Sequence, residues 1–122
     1  MFNKSIYERM TRSEKQVAHL LKELGIFWKY EKPVYVQDDD NRPRVWTPDF
    51  YLCQFGIYVE VCGSSNFDYE YRRKMYLKND YQVIFLHLYK DSKKWKNHLF
   101  RYVELVMDYR NHKFNEMKRK EN

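Results

Sequence analysis

The sequence predicts an α/β (α+β) domain: a mixed central sheet flanked by helices, in the order α-β-β-β-α-β-α. Three observations predict it. Val17, Leu20, Leu21 and Leu24 recur at helical spacing behind a capping signal. Two β-branched and aromatic runs, Val45–Leu52 and Ile57–Val61, flank a turn containing Gly56. Tyr81–Leu88 is a nearly continuous apolar run followed by a second helical pattern. One chain of 122 residues can bury one core, so residues 1–122 are expected to form a single domain.

Taken in order, residues 1–10 show no clear pattern and fit a short helix or a disordered start. Thr11-Arg12-Ser13-Glu14 has capping-box spacing, in which the Thr hydroxyl accepts the N3 amide and Glu14 reaches back. Gly25 is placed to end the helix that follows, giving a first helix over about 11–24. Ile26–Gln37 reads as one extended segment that Pro33 confines to an edge or a bend. Asp38-Asp39-Asp40-Asn41-Arg42-Pro43 lacks the spaced ligands, glycine and distal Glu of a calcium loop, and reads as a solvated turn. After the hairpin and the Gly63–Asn66 link, Tyr69, Arg72, Arg73, Tyr76 and Leu77 mark a helix over about 68–79. The apolar Tyr81–Leu88 run is expected as a central, buried strand. Asp91 or Ser92 can cap a last helix whose apolar face is Trp95, Leu99, Tyr102, Val103 and Val106. The core is expected over about 11–90, with 91–122 forming a C-terminal helix and basic tail.

Apolar residues make up 43% and charged residues 33%, which excludes a disordered chain. No run has the length of a membrane span and Met1-Phe2-Asn3-Lys4 does not open a signal peptide, so an intracellular protein is expected. Two cysteines, Cys53 and Cys62, are expected as free thiols, with no Cys/His spacing for zinc. The formal charge of +6 together with 12 Tyr, 8 Phe and 3 Trp suits a polyanion: cations displace counterions from phosphates and rings stack on bases. Much of that charge lies in Lys113–Lys120, where a solvated helix end is the ordinary explanation.

The hairpin carries two acids that strands disfavour. Asp49 follows Pro48, and Glu60 interrupts Tyr58-Val59-Glu60-Val61. Two costly carboxylates on paired strands suggest a shared cation. Ser13-Glu14 opening the first helix, Thr47-Pro48-Asp49-Phe50 on one strand and Tyr58-Val59-Glu60-Val61-Cys62-Gly63 on the next resemble the PD-(D/E)XK nuclease superfamily, the restriction-endonuclease-like fold. The likeness spans about residues 11–90 and is greatest to small Holliday-junction-resolvase and phage-type nucleases. It implies a metal-dependent DNA nuclease, in which Asp49 and Glu60 hold Mg²⁺ (or Mn²⁺), with the Val61 carbonyl as a further ligand. Glu14 would assist directly or through water.

One departure stands out. The family's lysine, two residues after the strand Glu, is Cys62 here. A thiol supplies no fixed positive charge, and a thiolate beside two carboxylates is disfavoured. Some branches draw the lysine from the following helix, which offers Arg72, Arg73, Lys74 and Lys78; Lys74 is the preferred substitute and Arg73 the second. Arg72, Arg73, Lys78 and Tyr69 are also the candidates for contact with DNA. A Cys62 nucleophile would need a histidine base. Of His19, His87, His98 and His112 only His87 could lie near it. The alternative reading is a catalytically inactive DNA-binding or assembly protein on the same fold. The last helix could further support a homodimer.

Overall fold

The computed structural model describes residues 5–65 and 67–121; Met1–Lys4, Asn66 of the Gly63–Asn66 link and Asn122 lie outside them. A single helical turn, α1 (Ile6–Arg9), precedes α2 (Arg12–Glu23). The capping box forms as its spacing predicts: Glu14 N donates to Thr11 Oγ1 at 3.1 Å, and Thr11 N to Glu14 Oε1 at 3.0 Å. Thr11→Ala removes one of these two bonds and is expected to cost about 1 kcal/mol. Thermal melts should place the variant about 4 °C below the parent.

The strands are β1 (Trp28–Tyr30), β2 (Val34–Gln37), β3 (Pro43–Trp46), β4 (Phe50–Leu52), β5 (Ile57–Cys62) and β6 (Val83–His87), with α3 (Tyr69–Lys78) between β5 and β6 and α4 (Ser92–Glu121) at the end. They build a four-stranded mixed sheet ordered β1-β4-β5-β6 and a separate two-stranded sheet of β2 and β3. The expected hairpin is present: β4 and β5 pair antiparallel with Phe50 opposite Val59 and Leu52 opposite Ile57. Its turn closes with Gly56 N on Leu52 O at 2.9 Å, and Gly56 has φ +68°, which a side chain resists.

Three expectations need correction. Ile26–Gln37 is two strands, broken at Glu31–Pro33, where Glu31 takes φ +55° and Pro33 cannot continue a ladder. Val45–Leu52 is likewise two: β3 pairs with β2 off the main sheet, and Thr47-Pro48-Asp49 carries the chain back to β4. β6 is an edge strand, not a central one. Its apolar run reflects cover on both faces, by α3 and α4, which is what a strand running parallel to its neighbour β5 requires.

Side chains of β5 alternate between two cores. Ile57 and Val59 join Val17, Leu21, Phe50, Leu86, Trp95 and Leu99 beneath α2 and α4. Tyr58 and Cys62 join Val34, Val36, Tyr76 and Phe85 beneath α3 and the β2–β3 ribbon. Glu60 lies between Tyr58 and Cys62 in sequence, so the alternation turns it toward this second, ring-lined face. The Asp38 turn is not solvated at its head. Asp38 is buried and accepts from Asp40 N, Arg42 N and Arg44 Nε at 2.9–3.0 Å, so its carboxylate organises the ribbon's turn. Asp91 does cap α4, accepting from Lys93 N at 3.0 Å. Arg110, farther along that helix, donates to the carbonyls of Gln54 and Phe55 and fixes α4 to the β4–β5 turn. No helix among the described residues is long and apolar enough to cross a membrane.

Candidate active site

The register of β4 and β5, with Phe50 opposite Val59, brings Asp49 to the end of the hairpin beside Glu60, and both line one cleft. Asp49 is fixed from two sides: its Oδ2 accepts from Val61 N at 2.7 Å and its carbonyl accepts from Glu31 N at 3.0 Å, while the charge of Glu14 acts on its carboxyl. The first of these has a sequence cause: β4 begins only at Phe50, so the Val61 amide takes a side-chain acceptor where the ladder has stopped. Glu60 is buried, and its Oε1 accepts from Tyr76 Oη at 2.7 Å and from Arg72 Nη1 at 3.3 Å. Glu14 is buried as well. It serves the capping box through Oε1 and accepts from Tyr30 Oη at 2.9 Å through Oε2.

Two adjoining clefts share these groups. One, of about 400 Å³, is lined by Asp49, Glu60, Val61, Arg72 and the rings of Trp46, Phe67 and Tyr69. The other is lined by Glu14, Arg12, Ser13, Asp49, Val61 and Gly63. Asp49 and Val61 thus stand on the wall between them, with Glu60 on one side and Glu14 on the other. Among the described residues, no three His, Cys, Asp or Glu side chains are gathered closely enough to hold a metal together. The sequence-predicted trio is therefore not gathered at one point: Asp49 lies between Glu60 in one cleft and, in the other, a Glu14 already engaged by α2 and Tyr30.

The electrostatics of the pair are unfavourable as it stands. Burial, then the charges of Glu60 and Glu14, push the Asp49 carboxyl up to about 7, against the pull of the Val61 amide. Burial also raises Glu60, although Tyr76 and Arg72 pull it back. A cation between the two would relieve what burial and mutual repulsion impose. Mg²⁺ takes one or two carboxylates and keeps its remaining positions for water and phosphate, so two carboxylates and a backbone carbonyl suffice for it. The donors present fit that ion.

Of the basic residues on α3 it is Arg72, not Lys74, that reaches Glu60. Two residues along a helix turn the side chain by about 200°. Arg72 therefore faces Glu60 while Lys74 is exposed and lines neither cleft. Arg72 is held between rings, its guanidinium 5.1 Å from the Trp46 centroid and 5.2 Å from that of Phe67. Arg73 pairs with Glu70 at 3.1 Å on the surface, and Lys78 Nζ donates to Asp38 O at 2.8 Å, tying α3 to the ribbon. Of the four expected nucleic-acid contacts, only Arg72 and Tyr69 line the acidic cleft.

Cys62 is fully buried, and burial followed by the charges of Glu60 and Asp49 pushes its thiol up to about 12, which removes it as a nucleophile. His87 is its register partner on β6, as the sequence allowed, but stacks edge-on to Tyr69 at 5.6 Å and is itself held toward the neutral form by burial. Both cysteines are free. Tyr76 and Tyr30, which hold Glu60 and Glu14, were not singled out from sequence as site residues. The signal for Tyr76 was its spacing four residues from Arg72 on one helix face; nothing local marked Tyr30. No protein-family model, curated protein or solved structure matches this chain.

Proposed function

We propose that the protein is a metal-dependent nuclease that hydrolyses phosphodiester bonds of DNA, on a restriction-endonuclease-like arrangement of its core. The observation that carries the reading is the half-buried Asp49 and the buried Glu60 lining one cleft at the end of a β-hairpin beside a ring-clamped arginine, with the charge of Glu60 acting on Asp49. Buried like charges destabilise a fold, and a site for a divalent ion is the chemical use that fits them. Asp49 and Glu60 would hold Mg²⁺ with the Val61 carbonyl, and the ion would supply Lewis-acid charge and a more acidic water.

The chain's own groups do the rest. The Val61 amide keeps the Asp49 carboxyl in place, and Tyr76 holds Glu60. A guanidinium offers donors and no acceptor, so Arg72 does not act as a base. It serves instead as the fixed cation that meets a phosphate's developing charge, the role left open by Cys62.

Incubation of the purified protein with single-stranded, duplex and branched DNA in Mg²⁺, Mn²⁺ or EDTA tests the reading. Cleavage with either metal and none in EDTA is the expected result. Salt-sensitive DNA binding that survives EDTA, with no cleavage of any form, would establish the alternative of a binding or assembly protein. Arg72→Ala should lower the cleavage rate at least tenfold, while Lys74→Ala should stay within about twofold of the parent. Equal losses in the two variants would return the lysine's role to the outer face of α3.

A further inference from the structure

The acidic cleft is unusually rich in rings for a site that grips a phosphate chain. Its charged lining is Glu31, Asp49 and Glu60 against the single cation Arg72. Charge alone therefore gives a duplex backbone little to hold there. The rings are another matter. Phe67 is 50% exposed at the start of the approach to α3, where it belongs to neither core. Its ring lies 4.9 Å from that of Tyr69, and Trp46 lies across Arg72 from it. Trp46 is flanked in turn by Tyr71, which is 39% exposed. Half-exposed rings of this kind, set around one guanidinium, give an unstacked base apolar surface to lie against.

We propose that the strand taken by this site carries an unpaired base, which stacks on Phe67 at the mouth of the cleft while Arg72 holds the adjoining phosphate. In a duplex both faces of every base are covered by neighbours, so the Phe67 ring would meet only sugar and phosphate edges. In a single strand, a flap or a gap the π-face is free, and stacking is tolerant of sequence because every base has one. The carboxylates on the floor of the cleft disfavour phosphates until a divalent ion neutralises them, whereas a neutral base is indifferent to that charge. Stacking thus gives the substrate a hold that does not depend on the metal. The inference rests on the nuclease reading for its substrate, but its geometry does not require cleavage.

The test is fluorescence anisotropy with a short labelled single strand and the duplex of the same sequence, in EDTA, using the parent, Phe67→Ala and Phe67→Tyr. The single strand should bind about tenfold more tightly than the duplex. Phe67→Ala should lose about tenfold for the single strand and at most about twofold for the duplex, the latter through a less firmly held Arg72, and Phe67→Tyr should bind as the parent does. Since Phe67 is half exposed, the substitution leaves both cores intact, and a matching thermal melt checks this. Equal affinity for the two forms, equal loss on both in Phe67→Ala, or binding of neither overturns the proposal. A Mg²⁺ cleavage assay run beside it separates the two ideas. Phe67-dependent binding without cleavage defeats the nuclease reading alone, and Asp49-dependent cleavage indifferent to Phe67→Ala defeats stacking alone.

Discussion

Asp49→Asn and Glu60→Gln should each lower divalent-dependent cleavage by about a thousandfold or more, equivalent to about 4 kcal/mol of transition-state stabilisation. Both substitutions keep shape and hydrogen bonding. In Asp49→Asn the new amide oxygen can still accept from the Val61 amide, and in Glu60→Gln it can still accept from the Tyr76 hydroxyl and Arg72, so the neighbours lose no partner. Only the negative charge disappears. Carboxamide oxygens are poor ligands for a hard dication competing with water, and with one of two carboxylates neutral the site falls below what Mg²⁺ ordinarily takes from protein. A cleavage rate for Asp49→Asn equal to the parent's would sink the assignment, because Asp49 is the acid that the hairpin register brings beside Glu60.

How far the sequence carried this arrangement depends on the range of the forces involved. The α2 capping box, the Gly56 turn, the Asp91 cap and the pairing that brings Asp49 beside Glu60 are local consequences of side-chain chemistry over a few residues. All were legible. The β2–β3 ribbon was not, because propensity marks Val34–Gln37 and Val45–Trp46 as extended without saying which partner each will find. Nor was the edge position of β6: burial on two faces writes the same apolar run whether or not a further strand lies alongside. Which of Arg72 and Lys74 reaches Glu60 was not legible for a related reason. It turned on the rotation of α3 about its axis, and α3 has no clear apolar stripe from which to fix that rotation. Met75 and Tyr76 are its only buried members among the described residues. Tyr76, four residues beyond Arg72, both packs in the second core and holds Glu60, so a residue that sequence marks as core turns out to shape the site.

The same Asp49→Asn variant should be more stable than the parent in the absence of metal, by up to about 4 kcal/mol at pH 8, and the gain should vanish near pH 4. In the folded chain burial, with Glu60 and Glu14 behind it, pushes the Asp49 carboxyl up to about 7. In the unfolded chain it titrates at about 3.9. Between those values the folded state binds the proton that the unfolded state has released. Stability therefore falls as pH rises through this window, and it is level above about 7 and below about 4. Glu60, raised in the same direction by burial, adds to the slope. The carboxamide of Asp49→Asn cannot ionise, so that variant's stability should change less between about pH 4 and pH 8. A divalent ion reverses the trend: it binds the ionised pair, so below pH 7 its apparent affinity should weaken by about tenfold per pH unit. Mg²⁺ or Mn²⁺ should raise the parent's melting temperature at pH 8, much less at about pH 5.5, and leave Asp49→Asn unmoved at either. Urea unfolding across that pH range, with and without the ion, measures both effects. A parent whose stability rises from about pH 5 to pH 8 without metal would show that Asp49 is an ordinary solvated carboxylate. A carboxylate that weakens the fold when empty and strengthens it when loaded is what the proposed metal site asks of Asp49, and the two pH trends together measure it.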